Sequence, residues 1–67
     1  MKMSLGKRIK ETRRTAQMTQ LELAERAGVT YGTVVNIERD RGSPRIKSVM
    51  AIAHALGVSI GELAGTR

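Results

Sequence analysis

The 67-residue sequence contains no cysteine, no phenylalanine and no tryptophan, and only one tyrosine, one proline, one histidine and one aspartate. Without cysteine, neither a disulfide framework nor a thiolate metal site can hold the chain together. Without large aromatic rings, the core must be assembled from Leu, Ile, Val, Ala and Met. Such a core suits small, closely packed helices better than a β-sandwich. With His54 the only histidine there is no His-rich metal constellation, and no Ser-His-Asp triad is read around His54 and Asp40, the only aspartate. The composition therefore points away from an enzyme and implies no cofactor, no metal and no small-molecule ligand. Long apolar runs are missing as well. None is long enough to span a bilayer, and the charged N-terminus is not followed by the apolar stretch of a secretion signal. The expectation is a cytoplasmic protein with no membrane partner, built as one domain over residues 1–67 and only marginally stable at that size.

Positive charge is plentiful: 12 Lys and Arg against 6 acidic residues give a formal net charge of +6. Such an excess favours nucleic acid, anionic membranes or acidic proteins as partners, although it also serves solubility. Its distribution is more informative. Lys2, Lys7, Arg8, Lys10, Arg13 and Arg14 crowd the N-terminal stretch against Glu11, and Arg39, Arg41, Arg45 and Lys47 form a second cluster against Asp40. The segment between them is slightly acidic through Glu22, Glu25 and Glu38. Two basic clusters around a less charged middle could grip two stretches of phosphate beside one recognition surface. A membrane-active cationic peptide would need one long amphipathic helix with interfacial aromatics, and the repeated caps and glycines argue against it.

Five helical segments are predicted. The first runs from about Ser4, its N-cap, to Thr15, with an apolar stripe of Leu5 and Ile9 continuing toward Ala16 and a basic opposite face. Thr19-Gln20-Leu21-Glu22 is a capping box that opens the second, and Gly28 ends it. Thr30 caps a third, from Tyr31 to about Arg39. There Val34 and Ile37 point inward, while Tyr31, Gly32, Val35 and Asn36 face outward. Gly32 and the β-branched Val35 are odd choices for a merely solvated helical face. A turn-rich basic loop, Arg39 to Pro44, precedes a fourth helix, from Arg45 or Ile46 to Gly57. Its stripe is Ile46, Val49, Met50, Ile52, Ala53 and Leu56. Ser59-Ile60-Gly61-Glu62 caps a short fifth helix with Leu63. His54 reads as an exposed helical residue, and Glu22 and Glu25 suit the dipole at the start of the second helix.

The block from Gln20 to Glu38 carries the functional signal. Ala24 lies where two helices cross, Gly28 makes the turn, and Val29, Val34 and Ile37 fill the wedge above Leu23. A helix-turn-helix requires this spacing, because helices at a steep angle leave room only for small and branched side chains. Spacing alone also admits a generic αα-hairpin. The stretch TQLELAERAGVTYGTVVNIE resembles the helix-turn-helix of the Xre/Cro family, to which the phage lambda repressor belongs. LGKRIKETRR is similar to that family's first helix, and Ser43-Pro44 followed by IKSVMAIAHALGVSIGELA to its fourth and fifth, so the resemblance spans about Leu5 to Ala64.

The resemblance implies an all-α, five-helix, lambda repressor-like domain and a sequence-specific DNA-binding transcriptional regulator, a repressor, whose third helix enters the major groove of double-stranded DNA. It places Tyr31, Gly32, Val35 and Asn36 at base-contacting positions. Asn36 suits adenine and Val35 a thymine methyl. Gly32 offers no side chain, and allows close approach or leaves space for Tyr31. Polar residues are more usual on this face in the family. Phosphate contacts are implied for Gln20, Thr30 and Thr33, and for Arg41, Ser43 and Arg45 around the loop after the third helix. An unpartnered Gln20 and a purely capping Thr30 are the alternatives, and Lys7 and Arg8 equally suit a solvated basic face. Arg13 and Glu38 match a structural ion pair between the first and third helices. Family members bind palindromic operators as homodimers, which would place the dimer contact on the fifth helix and the adjacent surface of the fourth. The chain reads equally as a complete small regulator or as one domain of a longer protein. An antitoxin-type interaction module with the same fold, binding a partner protein as well as or instead of DNA, would use Leu21 and the final helix with Ile60.

Overall fold

A computed structural model describes residues 3–64, so Lys2, counted above in the first basic cluster, lies outside the described residues. Five helices follow in order: α1 (Leu5–Thr15), α2 (Gln20–Ala27), α3 (Tyr31–Glu38), α4 (Ile46–Leu56) and α5 (Ile60–Ala64). Among the described residues there is no strand. The helix boundaries agree with the predicted ones to within a residue, because most are written in local chemistry. Ser4 Oγ accepts from the backbone N–H of Lys7 at 3.1 Å to open α1. Thr19 Oγ1 accepts from Glu22 N at 3.0 Å, while Glu22 Oε1 accepts from Thr19 N at 2.8 Å, completing the capping box. Ser59 and Glu62 repeat that arrangement ahead of α5. Gly28 and Gly57 end α2 and α4 with φ of 71° and 72°, a left-handed conformation that costs glycine no steric clash.

The core is Ile9, Leu23, Ala24, Val34, Ile37, Ile52, Ala53 and Leu63, rimmed by half-buried Leu5, Met18, Val29, Leu56 and Ile60. Full burial of each large aliphatic side chain contributes about 1.5–3 kcal/mol. The packing explains why α3 is so firmly placed: α2 lies against both α3 and α4, while α1 lies against α3 and α5. α3 is thus held from two sides.

Three apolar expectations fail. Ala16 is exposed, because the stripe of α1 turns at Gly6, Ile9 and Arg13 and does not extend past its C-terminus. Ile46 and Met50 are 66% and 56% exposed. The buried stripe of α4 is narrower than its apolar composition suggests: Val49, Ile52 and Ala53 are buried, and Ala55 and Leu56 pack half-buried against the core.

A contact absent from the sequence reading fixes α1 against α3. Asp40, with φ of 56°, turns back across the start of α1, where its carboxylate accepts from Ser4 Oγ at 2.6 Å and from Gly6 N at 3.0 Å. Gly6 sits so close to α3 that a Cβ there would overlap the carbonyl oxygen of Ile37. The glycine is needed for this approach of two backbones, not for its φ.

Candidate nucleic-acid interface

α3 has one buried and one open side. Val34, Ile37 and Glu38 are buried, while Tyr31, Gly32 and Asn36 are exposed. Val35 is only half-buried, so the structure turns it further inward than the outward position expected of it. At the N-terminal end, Thr30 Oγ1 accepts from Thr33 N at 3.1 Å and lies 2.8 Å from Thr33 Oγ1. Thr30 therefore caps α3, and its hydroxyl is shared with that of Thr33.

The other candidate residues fall into two groups. Thr33, Asn36, Arg41, Ser43 and Arg45 line one open groove of about 230 Å³ between the outward side of α3 and the loop leading into α4. Base-facing and phosphate-facing candidates are thereby brought side by side, and Arg41 and Arg45 make this end of the surface positive. At the opposite end, Gln20 and Tyr31 meet at an open, mainly apolar notch of about 500 Å³ completed by Thr19 and Leu21. Gly32 lies on the exposed turn of α3, and a Cβ at this position would meet nothing within 4 Å. Lys7, exposed, and Arg8, half-buried, project from α1 and line neither concavity.

Arg13 and Glu38 form the ion pair expected of them, and it is buried. Arg13 Nε donates to Glu38 Oε2 at 2.6 Å and Nη2 to Oε1 at 3.1 Å, a two-pronged contact between α1 and α3. A third donor, Nη1, reaches the carbonyl of Met18 at 2.8 Å. Gln20, for which the resemblance implies a phosphate contact, donates from Nε2 to Glu38 Oε1 at 3.0 Å and accepts at Oε1 from the Tyr31 hydroxyl at 3.4 Å. Sequence spacing could place Arg13 opposite Glu38 only through the resemblance. Nothing in the local pattern signals that Gln20, 18 residues from Glu38, joins the same network.

The electrostatics of α2 are local. The carboxyl of Glu22 is held below its ordinary range, first by the backbone N–H of Thr19, then by the Thr19 side chain, with a smaller contribution from Arg26. It serves the capping box. No described helix is long and apolar enough to cross a membrane.

A helix-turn-helix family model matches residues 9–63, and the chain belongs to that family. Its relatives include the immunity repressor protein of Bacillus phage phi105, 38% identical over 63 residues that cover 94% of this chain and 44% of that protein. Another is the HTH-type transcriptional regulator ImmR of Bacillus subtilis, also 38% identical over 63 residues, covering 94% of this chain and 50% of the relative. The chain thus spans about half the length of these curated relatives. Among solved structures, the biofilm master regulator SinR in complex with DNA superposes with a TM-score of 0.83 at 35% identity. The match covers 88% of this chain and 95% of that one. The five-helix, repressor-like architecture expected from the sequence is the one observed, and the matched family is one of DNA-binding regulators, not enzymes.

Proposed function

We propose that this chain is the DNA-binding unit of a transcriptional repressor, with α3 entering the major groove of a specific operator. The observation that carries the reading is the groove in which exposed Asn36 lies beside Thr33, Arg41, Ser43 and Arg45. A base-edge reader and phosphate-seeking side chains share one surface. Tyr31, Asn36 and the accessible part of Val35 meet base edges, and Gly32 lets the helix approach closely. Thr30, Thr33, Arg41, Ser43 and Arg45 face the backbone. Gln20 contributes to a phosphate the one amide hydrogen that Glu38 leaves free. The chain acts as a homodimer on a palindrome, in the cytoplasm, through α5 and the neighbouring surface of α4. What supports this placement is apolar surface left open on α4 at Met50, with Ala64 exposed on α5. The partner-protein alternative draws less support, because Ile60 packs against the core.

Selection from a random DNA library tests the reading. The expected result is an enriched palindrome with half-sites one helical turn apart, about 34 Å centre to centre. Affinity for it should fall steeply with salt, with a log–log slope of about −0.9 per phosphate neutralised. A flat salt response would count against phosphate-dominated docking, and enrichment of a single unpaired half-site against the dimer.

A further inference from the structure

The Arg13–Glu38 pair reaches the surface through two more side chains. A carboxylate only accepts, and both oxygens of Glu38 are occupied by donors: Oε2 by Arg13 Nε, Oε1 by Arg13 Nη2 and Gln20 Nε2. An amide facing such a carboxylate must turn its nitrogen toward it, since the reverse orientation would set acceptor against acceptor. Gln20 therefore has no choice of rotamer sense, and its Oε1 points away from Glu38. That oxygen faces the hydroxyl of Tyr31, which donates to it across 3.4 Å, longer than the roughly 2.5–3.0 Å usual for an O–H···O bond. The anchor of this relay is rigid, because Arg13 is also tied to the carbonyl of Met18. Its outer end is open, because Tyr31 is 52% exposed on the first turn of α3.

We propose that the Arg13–Glu38–Gln20–Tyr31 relay sets the polarity of the first base contact: Tyr31 spends its single proton on Gln20 and presents only lone pairs to the DNA. A phenol oxygen restricted to accepting takes a base edge that donates. In the major groove that means an exocyclic amine, N6 of adenine or N4 of cytosine, because guanine and thymine show only acceptors or a methyl group there. Tyr31 is then a specificity-determining residue, and Gln20 and Glu38 position it. The inference rests on the DNA reading of α3 and adds to it a rule about which bases the tip of the helix selects.

The test compares the full chain with its Tyr31→Phe and Gln20→Met variants on operators obtained by selection. Each variant is checked for an unchanged helical spectrum and a cooperative melt. In the wild-type operator, each adenine is replaced in turn by purine, which lacks the N6 amine, and each cytosine by 2-pyrimidinone, which lacks the N4 amine. The two sets of replacements separate the two bases. One replacement should weaken wild-type binding about tenfold, as expected for one lost hydrogen bond with a buried partner, and should cost Tyr31→Phe nothing. Gln20→Met frees the hydroxyl to rotate and donate, so repeat selection should admit guanine or thymine at that same position. The proposal is overturned if every amine replacement affects wild type and Tyr31→Phe equally. It is overturned too if Gln20→Met selects the wild-type base at that position. A wild-type chain that enriches no sequence removes the DNA reading itself, a failure distinct from either of these.

Discussion

α2 and α3 are the same length, eight residues each, and are held in opposite ways. α2 carries its own instructions. It has a reciprocal capping box, an acid in its first turn, Arg26 in its last and a left-handed glycine after it. α3 has only the Thr30 cap. It lacks an acid in its first turn and a base in its last, and it contains Gly32 and two adjacent valines, all of which weaken an isolated helix. Its order comes from burying Val34, Ile37 and Glu38 against α1 and α2. A helix held by its neighbours does not need its outer side for stability, and Tyr31, Gly32 and Asn36 are left free to serve a ligand.

Removing the neighbour contact of α3 should break this contrast most severely. Glu38→Ala leaves the Arg13 guanidinium buried without its counter-ion and strands the amide of Gln20. Breaking a buried pair from one side costs about 3–5 kcal/mol, much of the stability available to a domain of this size. Thermal melting should show a variant that is largely unfolded at 37 °C, whereas Glu25→Ala on the exposed side of α2 should melt close to wild type. Gly32→Ala should sharpen the comparison with an effect of opposite sign. An added Cβ meets nothing within 4 Å, so helix propensity alone should stabilise the fold by about 1 kcal/mol. Operator affinity should nonetheless fall, as the methyl group stands between helix and base edges. A more stable variant with undiminished affinity would show that Gly32 is not at the interface.

The smallest effect is confined to α2. The Glu22 carboxyl titrates lower in the fold than in the unfolded chain because Thr19 N–H and the Thr19 side chain favour its charged form. Its contribution is complete at pH values above the unfolded pKa and is lost as pH falls through the depressed folded value. Glu22→Gln should lower melting temperature slightly at neutral pH and narrow the gap from wild type as the medium is acidified. A constant gap across the acidic range would mean that the charge of Glu22 plays no part in the cap.

Much of the candidate site was legible in the sequence for the same reason that α2 was. Caps, the Gly28 turn and the apolar spacing of Leu23, Ala24, Val34 and Ile37 act over a few residues, so their pattern survives in the linear chain. Val35 was misplaced because period alone assigns a face, whereas the packing of α3 between two helices decides how wide its buried side is. Ile46 and Met50 show the converse error on α4: an apolar residue at the right spacing is buried only if another element covers it, and none among the described residues does. Asp40 and Gly6 left no signal. Asp40 reads as one more charge in a basic loop, and Gly6 as an indifferent glycine near a helix start.

By itself, then, the sequence determined the number and ends of the helices, the aliphatic make-up of the hydrophobic core cluster and the family to which the chain belongs. These rest on backbone chemistry and periodicity that neighbouring residues settle among themselves. Tertiary structure alone decided which apolar residues remain exposed, how Asp40 and Gly6 lock α1 onto α3, and how Gln20 is turned between Glu38 and Tyr31. Those depend on groups 11 to 36 residues apart meeting within hydrogen-bond distance, and on directional donors and acceptors whose orientation only the assembled fold can impose.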